Sequence, residues 1–274
     1  MAESHTEEDM RYGFGKNWQR FLAKVNAERI ERAKTSLADF LGSADLRGKT
    51  FVDIGSGSGL FSYAAFLLGA KRIVSFDYDP FSVVCTETLR DRAGQPDTWT
   101  VERGSILDTT YVGTLGLFDI VYSWGVLHHT GAMWDAIRNA ARMTAPGGYY
   151  YIALYNNVEG RFGSAFWLRV KKRYNRGGVV TKKMLEWAYV FVYFVLANIL
   201  RGKNPFRAMR AYGSKRGMHY REDIADWLGG YPYEYASVEE VFRFMKKEFP
   251  RFRLTNIKTV GGIGNNWFLF KNGE

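Results

Sequence analysis

Beyond residue 49, short apolar runs alternate with segments whose apolar residues recur every three or four positions. The runs of strand length are residues 50–54, 72–76, 99–102, 118–123 and 149–154. The segments with helical spacing between them are residues 60–68, 81–92 and 132–143. Strands that alternate with helices need crossover connections, which favour a mostly parallel sheet covered on both faces. The pattern therefore predicts an α/β fold.

The alternation stops after the fifth apolar run and resumes near the carboxyl terminus. Ser237 is predicted to cap a helix because Glu240, three residues later, can bond back to it in a capping box. Residues 253–260 and 266–270 are predicted strands around a glycine-rich turn, which makes an antiparallel hairpin. This hairpin would complete the sheet with an antiparallel last strand.

These changes of pattern divide the chain into four segments. Residues 1–48 are expected to form a helical cap or lid, with one or two surface helices within 17–41. Residues 49–155 form the predicted nucleotide-binding core, and residues 156–235 a basic, aromatic and helical insertion that faces substrate or membrane. Residues 236–274 supply the helix and hairpin that complete the core.

Composition limits the cellular context. The 274 residues are 46% hydrophobic, which is enough for one large folded core. Cys85 is the single cysteine, which excludes a disulfide framework and favours a reducing compartment. Residues 1–10 carry acids and a histidine rather than a basic start before an apolar run, so they do not resemble a secretory signal. We therefore expect a cytoplasmic location.

The sharpest local signal is FVDIGSGSGL at residues 51–60, a predicted strand that enters a glycine loop and then a helix. Glycine is needed where a ligand approaches the backbone or φ is positive, and the helix start offers free N–H groups. The spacing is G-x-G-x-G with Asp53 ahead of it, rather than the G-x-G-x-x-G that holds a pyrophosphate. The motif indicates a small polar ligand, although glycine turns follow strands in many α/β sheets.

Further features stand at the ends of later strands. Asp77 ends the second predicted strand, eighteen residues beyond Gly59, where ribose hydroxyls need an acceptor. GSILD at residues 104–108 follows the third strand, FDIVYSWGVLHH at 118–129 contains the fourth, and MTAPGG at 143–148 leads into the fifth.

In combination, these motifs resemble those of the class I S-adenosylmethionine-dependent methyltransferases, particularly the broad group that includes the ubiquinone-pathway O-methyltransferases. The resemblance covers residues 49–155 closely and the final helix and hairpin loosely. It implies an α/β, Rossmann-like, seven-stranded sheet, mostly parallel with an antiparallel last strand, and a helical insertion after the fifth strand. It also implies a methyl-transferring enzyme whose cofactor is S-adenosylmethionine.

The resemblance further implies the residues that contact the cofactor. In chain order they are Asp53, Gly55, Ser56 and Gly57 at the amino-acid part, Asp77 at the ribose with Tyr78 beside it, Ser105 and Ile106 at the adenine, and Ser123 and Trp124 near the methionine end. Many relatives carry Asp where Ser105 stands, so the adenine contact is open here. Asp108 either replaces it or caps the next turn.

Catalytic candidates follow the fourth strand. His128 and His129 would lie at the carboxyl edge, where open α/β sheets hold ligands, and a base there could take a hydroxyl proton. His129 is the favoured base, and the alternative for both is packing or hydrogen bonding. Since no His, Cys, Asp and Glu cluster has metal-ligand spacing, we predict no catalytic metal.

Substrate contacts are expected from three places. Tyr155 and Asn156 follow the fifth strand, while Asn265 and Asn266 lie in the hairpin turn, which emerges at the cofactor edge. The alternative for the two hairpin residues is ordinary turn chemistry. Tyr12 and Phe14 belong to a segment of aromatics and glycines, residues 12–18, that either folds over the cofactor as a lid or anchors a helix entry.

The formal net charge of +10 is concentrated in the insertion. Residues 156–221 contain fifteen Lys and Arg against two acids, Glu159 and Glu186, so this segment exceeds the surplus of the whole chain. Within it, residues 184–200 are apolar and aromatic with one charge, and are short for a membrane span. Two interpretations stay open: a helix lying on an anionic membrane surface, or a buried lid or dimer helix.

The favoured function is methylation of a small molecule, on a hydroxyl, with an amphipathic, lipid-linked or anionic acceptor. An RNA methyltransferase is a second hypothesis, ranked lower because no recognised RNA-binding module is present; nucleic acid is therefore not the expected partner. A third is a non-catalytic binding protein attached to a membrane or partner. A homodimer is compatible with the apolar helix, and membrane binding would place the protein at the inner face of a membrane.

Overall fold

A seven-stranded sheet forms the centre of the molecule, in a computed structural model that describes residues 12–13, 15–22, 25–204, 207 and 220–273. The strands are β1 (Thr50–Ile54), β2 (Arg72–Asp77), β3 (Trp99–Arg103), β4 (Phe118–Trp124), β5 (Thr144–Tyr155), β6 (Phe252–Lys258) and β7 (Asn265–Asn272). Their order across the sheet is β3-β2-β1-β4-β5-β7-β6.

The strands β1 to β5 are parallel, and β7 pairs antiparallel with both β5 and β6. The predicted α/β sheet with an antiparallel last strand is therefore confirmed. The strand order reverses between β1 and β4, the point where open α/β sheets bind ligands at their carboxyl edge. The turn between β6 and β7 emerges at that same edge, as the sequence predicted.

Helices cover both faces of the sheet. They are α1 (Gly15–Leu22), α2 (Ala27–Leu41), α3 (Leu60–Leu67), α4 (Pro80–Arg92), α5 (Thr109–Leu115), α6 (Met133–Arg142), α7 (Ser164–Arg176), α8 (Val179–Tyr189), α9 (Ala197–Leu200), α10 (Tyr220–Gly229) and α11 (Val238–Glu248). The segment Leu127–His129 is a 3₁₀ turn, and Val190–Leu196, between α8 and α9, is π-helical.

Alternate residues of β1 enter two separate hydrophobic layers, because successive strand side chains point to opposite faces. Val52 and Ile54 pack with residues of α5, α6 and α11, whereas Phe51 packs with residues of α2, α3 and α4. α2 is one of the surface helices predicted within residues 17–41. One of its faces, which includes the fully buried Leu37, packs on the core, and the opposite face is exposed.

Two helices begin with a side chain that caps the first backbone amides. Ser237 and Glu240 form the predicted capping box, with Ser237 Oγ accepting from Glu240 N over 3.1 Å. The sequence pattern did not predict helix α5. Asp108 caps its start, because Asp108 Oδ1 accepts from the amides of Thr110 and Tyr111. Asp108 is therefore a capping residue rather than an adenine contact.

The residues after β5 have a small hydrophobic cluster of their own. Its buried members are Trp167, Tyr174, Ile224, Leu228 and Tyr233. Tyr155, at the end of β5, packs against this cluster and connects it to the sheet. The two ends of the segment lie together, since Asn156 forms a parallel bridge with Ala236.

A continuous helix, which we call the apolar helix, runs over Val179–Leu200 through α8, the π-helical segment and α9. It is the one helix in the described part of the chain that is long and apolar enough to cross a membrane, with a mean hydropathy of 1.4. This criterion considers length and composition alone, and core helices of soluble proteins also meet it.

Candidate active site

A cavity of about 920 Å³ opens at the carboxyl edge of β1, β2 and β4. Nine of the ten residues predicted to contact the cofactor line its wall: Asp53, Gly55, Ser56, Gly57, Asp77, Tyr78, Ser105, Ile106 and Trp124. His129, Tyr155, Asn265 and Tyr12, predicted as catalytic or substrate residues, line the same cavity. The structure thus brings nine of the ten cofactor candidates and four of the eight catalytic and substrate candidates into one space.

The glycine loop after β1 needs its glycines for both conformation and space. Gly55, Gly57 and Gly59 all have positive φ, between 56° and 76°. A Cβ on Gly55 would lie 2.3 Å from Val126 Cγ1, and one on Gly57 would lie 2.9 Å from Cε2 of Trp18. Any side chain here would have to displace the cavity wall, so the loop keeps its backbone exposed to a ligand.

Asp53 is held by a buried chain of hydrogen bonds. Trp99 Nε1 donates to Ser75 Oγ over 2.8 Å, Ser75 Oγ donates to Ser62 Oγ over 2.7 Å, and Ser62 Oγ donates to Asp53 Oδ2 over 2.5 Å. Burial, the largest cause, and the nearby carboxylate of Asp77 raise the pKa of Asp53 to about 7 despite the Ser62 bond. The site therefore holds a desolvated carboxyl group that a cationic ligand would ionise.

Asp77 is tied to the loops on either side of it. Its Oδ2 accepts from Gly57 N over 2.9 Å and its Oδ1 accepts from Asp79 N over 2.9 Å. Burial raises its pKa to about 6, against these two lowering bonds. Each carboxylate oxygen can accept a second bond, so Asp77 keeps capacity for ligand hydroxyls.

The wall beyond Asp77 is formed by three predicted residues. Tyr78 is largely exposed, with the Arg103 guanidinium 6.0 Å from its ring centroid. Ser105 Oγ accepts from Leu107 N over 3.2 Å, and Ile106 is buried. An apolar side chain and a hydroxyl thus line the end of the cavity where the resemblance expects the adenine.

Ser123 lies outside the cavity lining, which corrects its predicted cofactor contact. Its side chain is fully buried, and its hydroxyl donates to the carbonyl of Ile54 over 3.1 Å. The strand register gives the reason: Asp53 pairs with Tyr122, so these two side chains share a face and Ser123 points to the other.

Tyr122 is a cavity residue that the sequence interpretation missed. It lines the wall, and its buried hydroxyl has no hydrogen-bond partner among the described residues. The alternation of β4 could have found it, because the residue facing Asp53 across parallel strands must lie on the same side as that carboxylate. Val126, Thr130 and Tyr231, from loops whose course the pattern did not predict, are further lining residues that it missed.

His129 lines the cavity in a defined tautomer. Its Nδ1 lies 2.6 Å from the carbonyl oxygen of Pro232. A carbonyl can only accept, so Nδ1 carries the proton and, in the neutral ring, Nε2 is the basic nitrogen. This is the arrangement of a histidine held to accept a proton.

His128 is excluded from the lining, and its predicted role as a base is corrected. It is fully buried, and its Nδ1 accepts from Tyr155 N over 3.2 Å, which places the proton on Nε2. Burial first, and then the nearby His129 and Lys171, hold its pKa well below the usual value. Its ring centroid lies 4.0 Å from that of Tyr155, so it packs behind the cavity wall.

The hairpin residues divide into one cavity residue and one structural residue. Asn265 lines the cavity, and its Oδ1 is buried with no partner in the described parts of the chain. Asn266 and Asn156, both predicted at the substrate, lie outside the lining and bond to each other over 2.9 Å. Asn266 Oδ1 also accepts from Val260 N, so the pair stabilises the turn instead.

The amino-terminal segment covers part of the cavity. Tyr12, Gly13 and Trp18 line it, whereas Phe14 lies outside the described residues. The Tyr12 hydroxyl donates to Asp226 Oδ1 over 2.8 Å, and Tyr12 N donates to the Tyr231 carbonyl. Asp226 thus joins this segment to α10. No group of three or more potential metal ligands occurs among the described residues.

Known protein families and structures are similar to parts of this chain. The family described as a methyltransferase domain matches residues 52–150. A ribosomal protein L11 methyltransferase of Tolumonas auensis is 43% identical over 58 residues, which are 21% of this chain and 20% of that protein. A ubiquinone biosynthesis O-methyltransferase of Methylobacterium sp. is 31% identical over 127 residues, 46% of this chain and 49% of that protein. The chain thus matches half or less of each relative's length.

Solved structures share the fold at low identity. Magnesium protoporphyrin IX methyltransferase of Synechocystis PCC 6803, with bound SAH, superposes with a TM-score of 0.54 at 12% identity, covering 94% of both chains. The N-methyltransferase NodS of Bradyrhizobium japonicum, in complex with S-adenosyl-L-homocysteine, gives 0.51 at 16% identity, covering 96% of this chain and 100% of that one. Residues 52–150 thus match the methyltransferase domain family, and the chain shares its fold with solved methyltransferases that hold S-adenosyl-L-homocysteine.

Proposed function

We propose that this protein transfers a methyl group from S-adenosylmethionine to a hydroxyl of a small amphipathic molecule, with His129 as the general base. One observation carries the proposal: a single cavity contains the glycine loop, the two buried carboxyl groups and a histidine whose Nδ1 proton is fixed by Pro232. The residues proposed to bind the methyl donor and the proposed base thus line the same cavity.

The cavity wall suits the cofactor. The three positive-φ glycines leave backbone where a ligand would lie, and Asp77 retains acceptor capacity for ribose hydroxyls. The hydroxyl of Tyr122 and Oδ1 of Asn265 are buried polar atoms without partners among the described residues, and such atoms normally have one. A polar cationic ligand would satisfy them and would stabilise the ionised form of Asp53.

Strand order arranges the site along one direction. Asp77 ends β2, Asp53 lies in β1, Trp124 ends β4 and Tyr155 ends β5, in the order in which these strands adjoin. Three strand spacings separate the first from the last, roughly 14 Å. The nucleoside end would therefore lie at β2 and β3, and the acceptor would meet it beside His129 and Tyr155.

His129 supplies the proposed proton transfer. Bound S-adenosylmethionine presents an electrophilic methyl group on a sulfonium, and its thioether leaving group needs no proton. The remaining task is to take the acceptor's hydroxyl proton as the oxygen attacks, and Nε2, the unprotonated ring nitrogen of His129, would accept it. The Pro232 carbonyl keeps its bond to Nδ1–H in both protonation states, so the ring holds its orientation while it becomes positively charged.

The acceptor end is predominantly aromatic. Trp124, Tyr155 and Tyr231 line it, with Asn265 as the polar group, and the ring of Tyr155 meets that of His129 edge-on at 5.4 Å. Aromatic walls with one or two polar groups are typical of sites for amphipathic small molecules. Tyr12 and Trp18 cover the cavity and would limit water at the reacting atoms.

The named relatives leave the acceptor open. The match to the L11 methyltransferase, whose name gives a protein substrate, extends over only 58 residues. The longer match is to a ubiquinone biosynthesis O-methyltransferase, whose name gives transfer to oxygen. This second likeness and the aromatic acceptor end together favour a small hydroxylated molecule over RNA or protein.

The test combines ligand binding with turnover. Calorimetry with S-adenosylmethionine should show one site, and a screen of hydroxylated amphipathic molecules with labelled donor should give a methyl ether. His129→Gln should lower kcat by about 10²–10⁴-fold with unchanged cofactor affinity. Binding of S-adenosylmethionine without any methylated product would overturn the proposed transfer to a hydroxyl. Full turnover by His129→Gln would overturn the proposed role of His129 as the base.

A further inference from the structure

The apolar helix exposes a continuous hydrophobic face. Val180, Trp187, Phe191 and Leu200 are 74%, 64%, 60% and 78% exposed, and only 6% of its most apolar stretch is buried. Large exposed apolar patches mark interaction sites, because they are unfavourable in water. This exposure does not fit a buried lid, whereas a helix on a membrane surface and a dimer helix, which the sequence also left open, both fit it.

These side chains follow one side of the helix. The exposed residues Val180, Met184, Trp187 and Phe191 are spaced by four, three and four, which is the repeat of a helix face. Val192, Tyr193 and Leu196 are exposed as well, within the π-helical segment whose hydrogen bonds join residues five apart. The exposed apolar surface thus continues through the π-helical segment.

The opposite side of the helix is attached to the protein. Leu185, Tyr189 and Val190 pack against the small cluster around Trp167, whose ring centroid lies 5.8 Å from that of Tyr189. The one acid of the helix, Glu186, is paired, accepting from Tyr174 OH and from Lys183 Nζ at 2.8 Å each. The helix therefore has a fixed inner side and an apolar outer side.

Basic residues precede and follow the apolar residues of this helix in the sequence. Among the described residues they are Arg169, Lys172, Arg173, Arg176, Lys182, Lys183, Arg201, Lys203 and Arg207. Residues 156–221 carry a net charge of +13. A second copy docking through the same face would bring two such segments together, with strong like-charge repulsion. An anionic lipid surface complements both the apolar face and its charged border.

The topology excludes a simple span. β5, before the helix, and β7, after it, are paired over seven residue pairs of one sheet. A single crossing would place these two strands on opposite sides of the bilayer. The helix can therefore lie in the interface but cannot cross it alone.

We infer that the apolar helix docks the protein onto the surface of a membrane that contains anionic lipids. Its outer aromatic and aliphatic side chains enter the boundary between headgroups and acyl chains, and the surrounding Lys and Arg contact the headgroups. This inference concerns the surface alone and does not depend on methyl transfer. One aromatic layer, Trp167, Trp227 and Tyr155, lies between the helix and the cavity, so docking would bring the cavity close to the bilayer.

The experiment is co-sedimentation of the full chain with phosphatidylcholine vesicles, with and without phosphatidylglycerol. We expect binding to the anionic vesicles that weakens as salt is raised. The double variant Trp187→Glu/Phe191→Glu should weaken it at least about tenfold, since two apolar contacts become charges. Leu117→Glu, at a residue that is 54% exposed outside the insertion, is the matched control and should bind normally.

A second pair of variants tests the basic border. Arg201→Glu/Lys203→Glu should weaken binding to anionic vesicles about tenfold, whereas Lys246→Glu/Lys247→Glu on α11 should have little effect. Calorimetry with S-adenosylmethionine on every variant checks folding and separates this result from the proposed function. The inference is overturned if the wild type does not bind anionic vesicles, or if binding survives Trp187→Glu/Phe191→Glu. It is also overturned if that variant only converts a dimer to a monomer.

Discussion

The backbone amide of Gly57 donates to Oδ2 of Asp77 over 2.9 Å, so the glycine loop and the ribose candidate are joined before any ligand arrives. The bond fixes the carboxylate at the end of β2 against the loop at the end of β1. Two motifs that lie twenty residues apart in the chain thereby form a single preorganised wall.

Gly57→Ala should weaken this wall. The new Cβ would strain a residue at φ 56° and would lie 2.9 Å from the Trp18 indole, which displaces the loop, the cover or both. We expect at least about tenfold weaker binding of S-adenosylmethionine by calorimetry. Gly94→Ala is the control, because Gly94 has φ 85° with nothing near its Cβ position. Equal losses in the two variants would contradict the role of the cavity contact.

Cofactor affinity should depend on the ionisation of Asp53. Its pKa of about 7 means that the carboxyl group is protonated below neutrality in the free protein. A cationic ligand favours the carboxylate, so binding releases a proton and should weaken about tenfold per pH unit below 7. Calorimetry between pH 5 and 8 measures this slope, and Asp53→Asn should flatten it. An unchanged slope in Asp53→Asn would assign the proton to another group.

The raised pKa of Asp53 also determines how the free energy of unfolding changes with pH. With a raised folded pKa, Asp53 binds a proton between its ordinary value of 3.8 and about 7 while the unfolded chain does not. Its contribution to the free energy of unfolding is therefore greatest at low pH and is lost as pH rises through 7. Denaturant unfolding of the ligand-free protein should show this trend, and Asp53→Asn should reduce it.

Lys171 should produce the opposite trend at higher pH. It is fully buried, its Nζ lies 4.0 Å from the Trp227 ring centroid, and burial lowers its pKa to about 7. The unfolded chain then holds the extra proton between about 7 and 10.5, so this contribution to stability rises with pH over that range. Lys171→Met should remove the rise in denaturant unfolding curves. The neighbouring Lys172→Met is the control and should keep it.

The amino-terminal cover should be energetically coupled to α10 through Tyr12 and Asp226. Tyr12→Phe removes the donor of their 2.8 Å bond, and Asp226→Ala removes the acceptor. A double-mutant cycle on the free energy of unfolding should give a coupling of about 1 kcal/mol. A coupling energy of zero would mean that the two groups do not interact in solution.

Much of the fold was predictable because it depends on local periodicity. The alternation of β1, the glycine loop and the capping box at Ser237 are each readable from a few neighbouring residues. Asp53 and Asp77 were predictable for the same reason, since Asp53 is the last residue but one of β1 and Asp77 is the last residue of β2.

The acceptor side was less predictable because it depends on register and on contacts distant in sequence. One step along β4 decides that Tyr122 faces Asp53 and Ser123 does not. His128 and His129 are adjacent and chemically identical, yet partners more than twenty residues away, Tyr155 and Pro232, give them opposite tautomers. The role of the asparagines likewise followed from pairing: Asn266 meets Asn156 from another strand.

The bridge between Asn156 and Ala236 brings the entry and exit of the intervening segment side by side at the sheet edge. A segment held this way can change length or composition with little consequence for strand pairing, because its ends stay fixed while its interior varies. Residues of this segment that face an acceptor or a membrane can then change while the cofactor pocket stays the same. The sheet is thus the constant part of the fold, and the segment between Asn156 and Ala236 is the part that can be exchanged.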